Sequence, residues 1–401
     1  MKTKQIVLTG ATVIDGTGGP PRKNEAVLIG NGLICQTGDP TTIRQSAPDA
    51  FVMDLSGMYL TPGFINVHDH LFNRRKRGTA ADYAIESRDM LLFRSLRNAF
   101  TSLLEGITTI RDAGSKESVG IDVRDALNTG LFMGPEIQAV SQGLTVTGGY
   151  VHQLFLEVDS VVDVRKAVGE MIKRDVDWVK CMASIEWNKA AGEPVSAVNI
   201  STELMREAFS IAHHHGKRCM AHAVCNESII NALDAGVDSI EHGVMLDQPT
   251  ADRMARDNVF FVPTLSSFRE KCNDWGRGTG AMKHGALMRP YHDKAVQFAR
   301  NSGVRMAFGS DNFGNLVDEM NGLHELGFSL PECLAMATRN GAQLLGIEKS
   351  AGTIEPGKRA DLVVLGSDPL SRPQAFGDVR LVFCNGQKVD PSQLSIFCNY
   401  E

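Results

Sequence analysis

The chain alternates short apolar runs with longer amphipathic stretches over most of its length. In DSVVDVRKAVGEMIKR and STELMREAFSIAHHH the apolar residues recur every three or four positions, which predicts helices. Eight apolar runs of strand character separate such stretches, at 64–68, 107–112, 136–141, 178–183, 218–224, 239–243, 260–265 and 305–311. Eight strands that alternate with helices over about 250 residues predict an α/β fold, a (β/α)8 TIM-like barrel.

The two ends of the chain have a different pattern. Residues 1–60 contain short β-type runs separated by Gly, Pro and Asn, and residues 350–401 return to this pattern in ADLVVLG and VRLVFCNGQKV. We expect the two ends to pair into one small β-sandwich domain beside a barrel of residues 61–349. An extra helix is predicted near PECLAMATRNGAQLLG. The polar stretch 266–290 is predicted to be an inserted loop that shapes substrate entry.

Composition narrows the classes of function. Of the 401 residues, 43% are hydrophobic and 22% are charged, as is typical of a packed globular protein. The net charge of -6 argues against nucleic acid and membrane surfaces as partners. Because the chain has neither a signal-peptide core nor a run of about 18 apolar residues, we expect a cytoplasmic protein. We also expect a homo-oligomer that acts on a small molecule. The eight cysteines lack a C-x-x-C pair, which indicates reduced thiols.

The ends of the predicted strands carry residues that bind metals. Residues two apart on a strand point to the same side, so His68 and His70 can reach one ion. His222, His242 and Asp311 each stand at the predicted last inward position of another strand. In a barrel of this kind the active site is built from strand carboxyl ends. The five side chains are therefore expected to converge on one metal site.

Lys180 is the least ordinary residue of the predicted fourth strand. Alternation places Trp178, Lys180 and Met182 on one face of the strand, and one of the two faces is the barrel interior. An inward ammonium beside metal ions would be desolvated and repelled, so it would be neutral. An amine that has reacted with carbon dioxide instead gives a carbamate, an anion able to bridge two metals. An outward or ion-paired lysine is the other alternative, and the sequence leaves it open.

Several motifs together resemble a known family. The set PGFINVHDH, WVKCMAS, CMAHAV, SIEHGV and AFGSD, with ADLVVL near the end, resembles the amidohydrolase superfamily, and within it the zinc-dependent prolidase-like dipeptidases and the ochratoxin-hydrolysing amidohydrolases. The resemblance implies two divalent ions, expected to be zinc. His68 and His70 would bind one ion, His222 and His242 the other. An N-carboxylated Lys180 would bridge them, and Asp311 would complete the first shell.

The implied reaction is the hydrolysis of an amide. Two divalent ions, a carbamate, Asp311 and a bridging hydroxide leave a site charge of about +1, which suits an electron-rich carbonyl. The metal-bridging hydroxide would attack the carbonyl, and Asp311 would carry a proton to the leaving nitrogen. We expect the substrate to be a dipeptide or an N-acyl amino acid. Basic side chains of the insertion, Arg269 and Arg277, are candidates to meet its carboxylate.

Two positions depart from the pattern of the dipeptidases. The loop after the third strand tends to be TGGH in those enzymes, whereas Tyr150 holds the usual histidine place here, with His152 two residues on. Tyr150 and His152 are both candidates for contacting the substrate carbonyl. The fifth strand ends His222-Ala223-Val224 in place of the frequent HAH. The substrate subsite is therefore expected to differ.

Other interpretations of the sequence compete with this one. The main alternative is a cyclic-amide hydrolase, imidazolonepropionase-like, or an aminohydrolase that acts on a heterocycle. Deamination is disfavoured because Glu227 lies five residues after His222, not in an H-A-x-E arrangement. The run His213-His214-His215 precedes Gly216 and is interpreted as the solvated end of a helix. Cys219 and Cys225 have the opposite strand parity from His222, so they are not expected to share a metal with it.

Overall fold

The computed structural model describes residues 5–73, 80–186, 197–273, 280–311 and 314–389. These residues form a mixed α/β fold. The strands, in chain order, are β1 (Ile6–Thr9), β2 (Thr12–Val13), β3 (Ala26–Gly30), β4 (Leu33–Gly38), β5 (Phe51–Asp54), β6 (Tyr59–Pro62), β7 (Phe64–Asp69), β8 (Ile107–Asp112), β9 (Glu136–Ala139), β10 (Leu144–Thr145), β11 (Leu156–Glu157), β12 (Trp178–Met182), β13 (Arg218–Ala223), β14 (Ser239–His242), β15 (Phe260–Val262), β16 (Leu362–Leu365), β17 (Val379–Cys384) and β18 (Gln387–Lys388).

The helices lie mostly between the parallel strands, as the apolar periodicity predicts. They are α1 (Pro40–Ser46), α2 (Ala80–Ala84), α3 (Arg88–Leu104), α4 (Val119–Asn128), α5 (Val161–Lys173), α6 (Thr202–His214), α7 (Asn226–Ala235), α8 (Gln248–Arg256), α9 (Leu265–Asn273), α10 (Gly280–Asn301), α11 (Leu316–Glu325), α12 (Leu330–Met336) and α13 (Arg339–Leu345). Ser160 and Ser201 cap α5 and α6 through their hydroxyls, which explains why these two helices begin where the amphipathic patterns do.

Two parallel sheets carry the central strands. One has the order β7-β8-β9 and the other β11-β10-β12-β13-β14-β15. Backbone bonds connect them, because the amide of Asp177 donates to the carbonyl of Ala139 at 3.0 Å and Val140 bridges Trp178. The carboxyl ends of these strands therefore lie on the same side of the fold, where side chains from different strands can meet.

The predicted eighth strand, 305–311, is wrong as a regular strand. Met306 forms a single parallel bridge to Phe261, and the amide of Val67 donates to the carbonyl of Phe308 at 2.9 Å without a regular ladder. The segment is irregular because the amide of Phe308 donates to the carbonyl of Met336, outside any strand. Residues 305–308 nevertheless connect β15 to β7 by backbone hydrogen bonds.

The two ends of the chain share one antiparallel pairing. Strand β16, from the C-terminal part, pairs with β6 in a sheet of order β18-β17-β16-β6-β2, and four other N-terminal strands form a second sheet of order β4-β3-β1-β5. One buried cluster contains side chains of both sheets, among them Val27, Ile34, Leu362 and Phe383. Apolar contact thus joins side chains of the two sheets.

Two further expectations need correction. Residues 265–273 and 280–301 are helical, so the described parts of the predicted insertion are not loop, while Trp275 and Arg277 lie outside the described residues. The extra helix near 331–346 is two helices, α12 and α13. The described cysteines are free thiols, and no described helix has the length and hydropathy of a membrane span.

Candidate metal centre

Four histidines meet at the carboxyl ends of the parallel strands. The ring centroids of His68 and His70 are 5.4 Å apart, those of His68 and His242 5.0 Å, and those of His222 and His242 4.6 Å. These rings come from β7, β13 and β14 and from the residue that follows β7. The structure therefore brings the predicted histidines together.

Asp311 joins this cluster from the irregular eighth segment. Its Oδ1 lies 3.6 Å from Nε2 of His68 and 3.7 Å from Nε2 of His70. One ligand atom from each of these three residues lies within 4.8 Å of the other two, which makes the group a candidate metal site. Oδ2 of Asp311 accepts a hydrogen bond from the Ser267 hydroxyl at 3.0 Å.

The donor atoms fit a divalent ion. Nε2 of His68 is buried and has no hydrogen-bond partner among the described residues, although buried ring nitrogens are normally satisfied. Its Nδ1 is 2.6 Å from Glu241, and Nδ1 of His70 is 2.7 Å from the carbonyl of Gly114. In both rings the outer contact is made by Nδ1, which leaves Nε2 directed at Asp311. Two imidazoles and a carboxylate are a ligand set that zinc accepts.

The backbone is strained where the ligands stand. Glu241 points into the site, so regular alternation would turn the next residue, His242, away from it. A φ of +71° at His242 turns its ring back, and its Nδ1 lies 2.7 Å from the hydroxyl of Thr264. Thr264 and Asp311 also have positive φ, +49° and +48°. His242 is thus not the last inward residue of a regular strand, as the sequence predicts; it reaches the site through a left-handed backbone.

Burial controls the charge of the two histidines beside Asp311. Desolvation, followed by the nearby charge of Lys180, lowers the pKa of His70 to about 3 and moves the pKa of His68 in the same direction. Both imidazoles are therefore neutral near neutral pH. A neutral imidazole is the form that binds a metal.

Lys180 is buried in β12, with only 1% of its surface exposed. No ion pair joins it to another described side chain, so the alternatives of an outward or ion-paired lysine are not what the structure shows. Desolvation is the main reason why its pKa falls to about 8, with the carboxylates of Glu241 and Asp311 opposing the shift. The amine is therefore close to neutral at mildly alkaline pH.

Comparison with known proteins identifies the family. The sequence profile of the amidohydrolase family matches residues 59–389. The chain belongs to the amidohydrolase family. It is 24% identical to ochratoxinase of Aspergillus niger, over 95% of this chain and 85% of that protein. It is 23% identical to imidazolonepropionase of Hyphomonas neptunium, over 87% of this chain and 91% of that protein. A prolidase solved with N-methylphosphonate-L-proline superimposes with a TM-score of 0.88 at 27% identity, over 96% of this chain and all of that one.

Of the two substrate candidates of this amidohydrolase, Tyr150 lies beside the histidines. Its ring stacks on His222 with centroids 4.9 Å apart, and its hydroxyl donates to Glu186. Desolvation, then the charge of Glu186, raises the pKa of Tyr150 well above its ordinary value, so the phenol stays protonated. His152 has a contact within its own loop, from Nδ1 to the carbonyl of Gly149 at 2.9 Å.

Sequence reasoning missed the residues that support the ligands. Glu241 and Arg111 form a fully buried ion pair that contacts His68, and Asn66 bonds Asp69 and Ser310 through its amide nitrogen at 3.1 and 2.8 Å. A signal was present, since TTIRD and SIEHG place charged residues within otherwise apolar strands. Buried charges within a strand are rare unless paired, which makes them candidates for function.

The residues that the sequence analysis set aside have ordinary partners. His213 stands in the last turn of α6, and its Nε2 lies 2.9 Å from Oδ2 of Asp238, which raises the pKa of His213. Its neighbour Cys219 is buried in β13 and donates its amide to the same carboxylate at 2.7 Å. Although His213, Cys219 and Asp238 are close enough to share an ion, an ion pair and a backbone hydrogen bond already account for the arrangement. Arg269, by contrast a candidate of the sequence analysis for meeting the substrate carboxylate, forms ion pairs with Glu325 and Asp293.

The lowered pKa of Lys180 predicts a pH dependence of stability in the metal-free protein. Between about pH 8 and 10.5 the unfolded chain holds the Lys180 proton more tightly than the folded protein does, so the free energy of unfolding rises with pH. From about pH 7.5 to about pH 10 the wild type should gain about 2–3 kcal/mol more than Lys180→Met, measured by urea unfolding. Lys173→Met, which removes an exposed lysine, controls for the loss of one charge. Equal pH dependence in wild type and Lys180→Met would contradict the buried-amine assignment.

Proposed function

We propose that this amidohydrolase cleaves an amide bond in a dipeptide or an N-acyl amino acid, using two divalent ions that we expect to be zinc. The observation that carries the proposal is the convergence of Nε2 of His68, Nε2 of His70 and Oδ1 of Asp311, with the buried Nε2 of His68 lacking a hydrogen-bond partner among the described residues. These donor atoms suit a bound cation, whereas buried polar atoms that only stabilise a fold normally have hydrogen-bond partners.

We also infer the finer architecture. The bonds that join β9 to β12, and β15 through residues 305–308 to β7, support a (β/α)8 barrel over 61–349. The shared apolar cluster of the two other sheets supports a β-sandwich built from 1–60 and 350–401. Active sites of such barrels lie at the carboxyl ends of the strands, where the histidines are found. A cytoplasmic homo-oligomer stays our expectation.

The ligand roles follow the places of the side chains. His68, His70 and Asp311 would hold one ion, while His222 and His242, whose rings are 4.6 Å apart, would hold the second. When bound, the ions would lower the pKa of water and polarise the amide carbonyl. Strain in the backbone at His242 and Asp311 supports a functional role for both, because such conformations persist where a site requires them.

Lys180 would link the two halves of this site. Its neutral amine attacks carbon dioxide, forms an N–C bond and loses one proton to water, which yields a carbamate with two oxygens. The lowered pKa supports this reaction because only the unprotonated amine is a nucleophile. The product exchanges a buried amine for an anion that two cations would stabilise.

Asp311 is our candidate for the proton transfer. Its Oδ1 lies toward the two Nε2 atoms, so Oδ2, beside the Ser267 hydroxyl, is the oxygen that would take a proton from the attacking water. The same oxygen would then give the proton to the leaving nitrogen. Oδ2 would thus act first as the general base and then as the general acid.

The substrate class is suggested by charge and by the similar proteins. A site with a charge of about +1 favours an amide whose leaving amino acid carries a carboxylate near the scissile bond. The prolidase among the similar structures was solved with a ligand that contains proline, which carries such a carboxylate. Tyr150, stacked on His222, is our first candidate for orienting the carbonyl, and His152 in the same loop is the second. Arg269 is a poor carboxylate ligand because two acidic residues already bind it.

A cyclic-amide hydrolase is the second candidate. The match to an imidazolonepropionase over 87% of this chain favours it specifically. A cyclic amide need not carry a carboxylate next to the scissile bond. The two candidate substrates therefore differ in the group that the site must bind beside the carbonyl.

The metal proposal predicts two bound ions per chain. Elemental analysis of protein prepared without chelator should give a stoichiometry near two, and Lys180→Ala should lose metal because the bridging anion is gone. Added acetate or propionate should restore part of the metal and of the activity, since a short carboxylate can replace the carbamate. Lys173→Ala, at an exposed lysine, is the matched control. A stoichiometry of one or less in the reconstituted wild type, or full metal in Lys180→Ala, would rule out the bridged pair.

The proton-transfer proposal predicts a large loss of rate in Asp311→Asn. The amide oxygen can still face a cation but cannot carry a proton, so kcat should fall about 100-fold or more. Metal content must be measured on the same samples, because Asp311 is also a proposed ligand. A variant with normal metal and normal kcat would overturn the assignment of Asp311.

The substrate proposal predicts a clear order of reactivity. Dipeptides and N-acyl amino acids should react faster than their C-terminal amides, with kcat/KM lower by about 10- to 100-fold when the carboxylate is lost, as for a charge-assisted hydrogen bond. Cyclic ureides and lactams of similar size complete the panel. If the amides react as well as the acids, or if only the cyclic compounds react, the cyclic-amide alternative replaces the dipeptidase proposal.

A further inference from the structure

An ion pair is buried completely beside the proposed ligand His68. Nη2 of Arg111 donates to Oε1 of Glu241 at 2.8 Å, and neither side chain is exposed to solvent. The Ser239 hydroxyl donates to the same oxygen at 2.6 Å. The other oxygen, Oε2, lies 2.6 Å from Nδ1 of His68. The two oxygens of the carboxylate thus have different partners: Oε1 accepts from Arg111 and Ser239, and Oε2 faces His68.

Stability alone is a weak reason for this arrangement. Taking two charges out of water costs about as much as their attraction returns, and apolar side chains of similar volume often serve a fold as well. Arg111 is held further by the ring of Trp178, 4.4 Å from its guanidinium carbon, and by the carbonyl of Val67. The ion pair is therefore fixed in place from several sides, and its anionic end faces a single imidazole.

The contacts determine which nitrogen of His68 carries the proton. Oε1 of Glu241 accepts hydrogen bonds from Arg111 and Ser239, and a carboxylate can only accept hydrogen bonds. Nδ1 of His68 must then be the donor, so the lone pair of the neutral ring lies on Nε2. Nε2 is the atom 3.6 Å from Asp311, without a hydrogen-bond partner among the described residues. The ion pair thus leaves a lone pair on the nitrogen of His68 that faces the proposed cation site.

We propose that Arg111 and Glu241 are positioning residues that hold His68 in the tautomer and orientation needed to bind a divalent ion. The inference rests on the proposed metal site and deepens it. Nδ1 of His70 and Nδ1 of His242 face a carbonyl and a hydroxyl, which are uncharged, whereas Nδ1 of His68 faces an anion. An anionic partner at Nδ1 raises the basicity of the imidazole, so Nε2 becomes a stronger metal ligand. We therefore expect this ion pair to increase the affinity of His68 for the ion.

The test is the zinc affinity of Glu241→Gln. A glutamine keeps the shape but loses the charge, and its amide nitrogen can donate to Nδ1 of His68, which favours the tautomer with the proton on Nε2. The zinc dissociation constant, measured by competition with a chromophoric chelator, should rise about 10- to 100-fold. Because this variant leaves a buried guanidinium without its carboxylate, Arg111→Met/Glu241→Gln is made beside it to remove both charges. The double variant should show the same loss of zinc affinity.

A double-mutant cycle separates positioning from a general loss of structure. In a His68→Ala background, Glu241→Gln should change the affinity for the remaining zinc by less than about twofold, because the ring through which Glu241 acts is gone. The control Asp361→Asn removes a carboxylate that is also buried and paired with an arginine, Arg359, but near Gly63 at the other end of β7. It should lower the urea midpoint and leave the zinc dissociation constant unchanged.

The outcomes distinguish the inference from the proposed function. A wild-type protein that binds no divalent ion would overturn the proposed function itself. If the wild type binds zinc and both Glu241 variants keep its affinity within about threefold, the positioning role is wrong. It is equally wrong if Glu241→Gln weakens zinc binding as much in the His68→Ala background as in the wild type.

Discussion

The structure depends on polar side chains that are buried at the ends of parallel strands and must all find partners there. Asn66 shows the constraint most plainly. It is fully buried, its amide oxygen accepts from the backbone amides of His68 and Ser310 at 3.2 Å, and its amide nitrogen donates to Asp69 and Ser310. Because one side chain satisfies groups on two segments, β7 and the irregular eighth segment cannot shift independently. His68 and Asp311 are thereby kept in fixed relation.

Backbone conformation is the second means by which the site is held. His242, Thr264 and Asp311 all have left-handed φ values, which cost a residue with a β-carbon about 1–3 kcal/mol each. Thr264, whose β-branched side chain disfavours this region most, places its hydroxyl against Nδ1 of His242. A β-carbon at Gly309 would lie 2.6 Å from Cβ of His68, so only glycine allows the eighth segment to approach. The packed strands and helices around the site supply the stability that keeps these conformations.

The sequence predicts what is periodic and fails where geometry depends on distant contacts. Regular alternation and helical spacing located seven of the central strands and helices such as α5 and α6, and the type of residue at strand ends located the histidine cluster. The apolar run 306–308 predicts a strand in the eighth segment, but the amide of Phe308 donates to the carbonyl of Met336, in a helix far along the chain. From the sequence, His242 is expected to face inward and Glu241 is not singled out. Both side chains take part in the site because His242 has a positive φ, which the apolar pattern does not predict.

The two neighbours on β14 show how closely the halves of the centre are connected. Glu241 holds His68, and His242 takes part in the other pair of histidines, with Thr264 fixing its ring. His68 is restrained from several directions, because Asn66 binds its amide, its carbonyl accepts from the amides of Ser310 and Asp311, and Glu241 binds its Nδ1. A ring restrained in this way loses little further freedom when Nε2 binds an ion. The cost of ordering the ligand is met when the protein folds, and metal affinity benefits from that preorganisation.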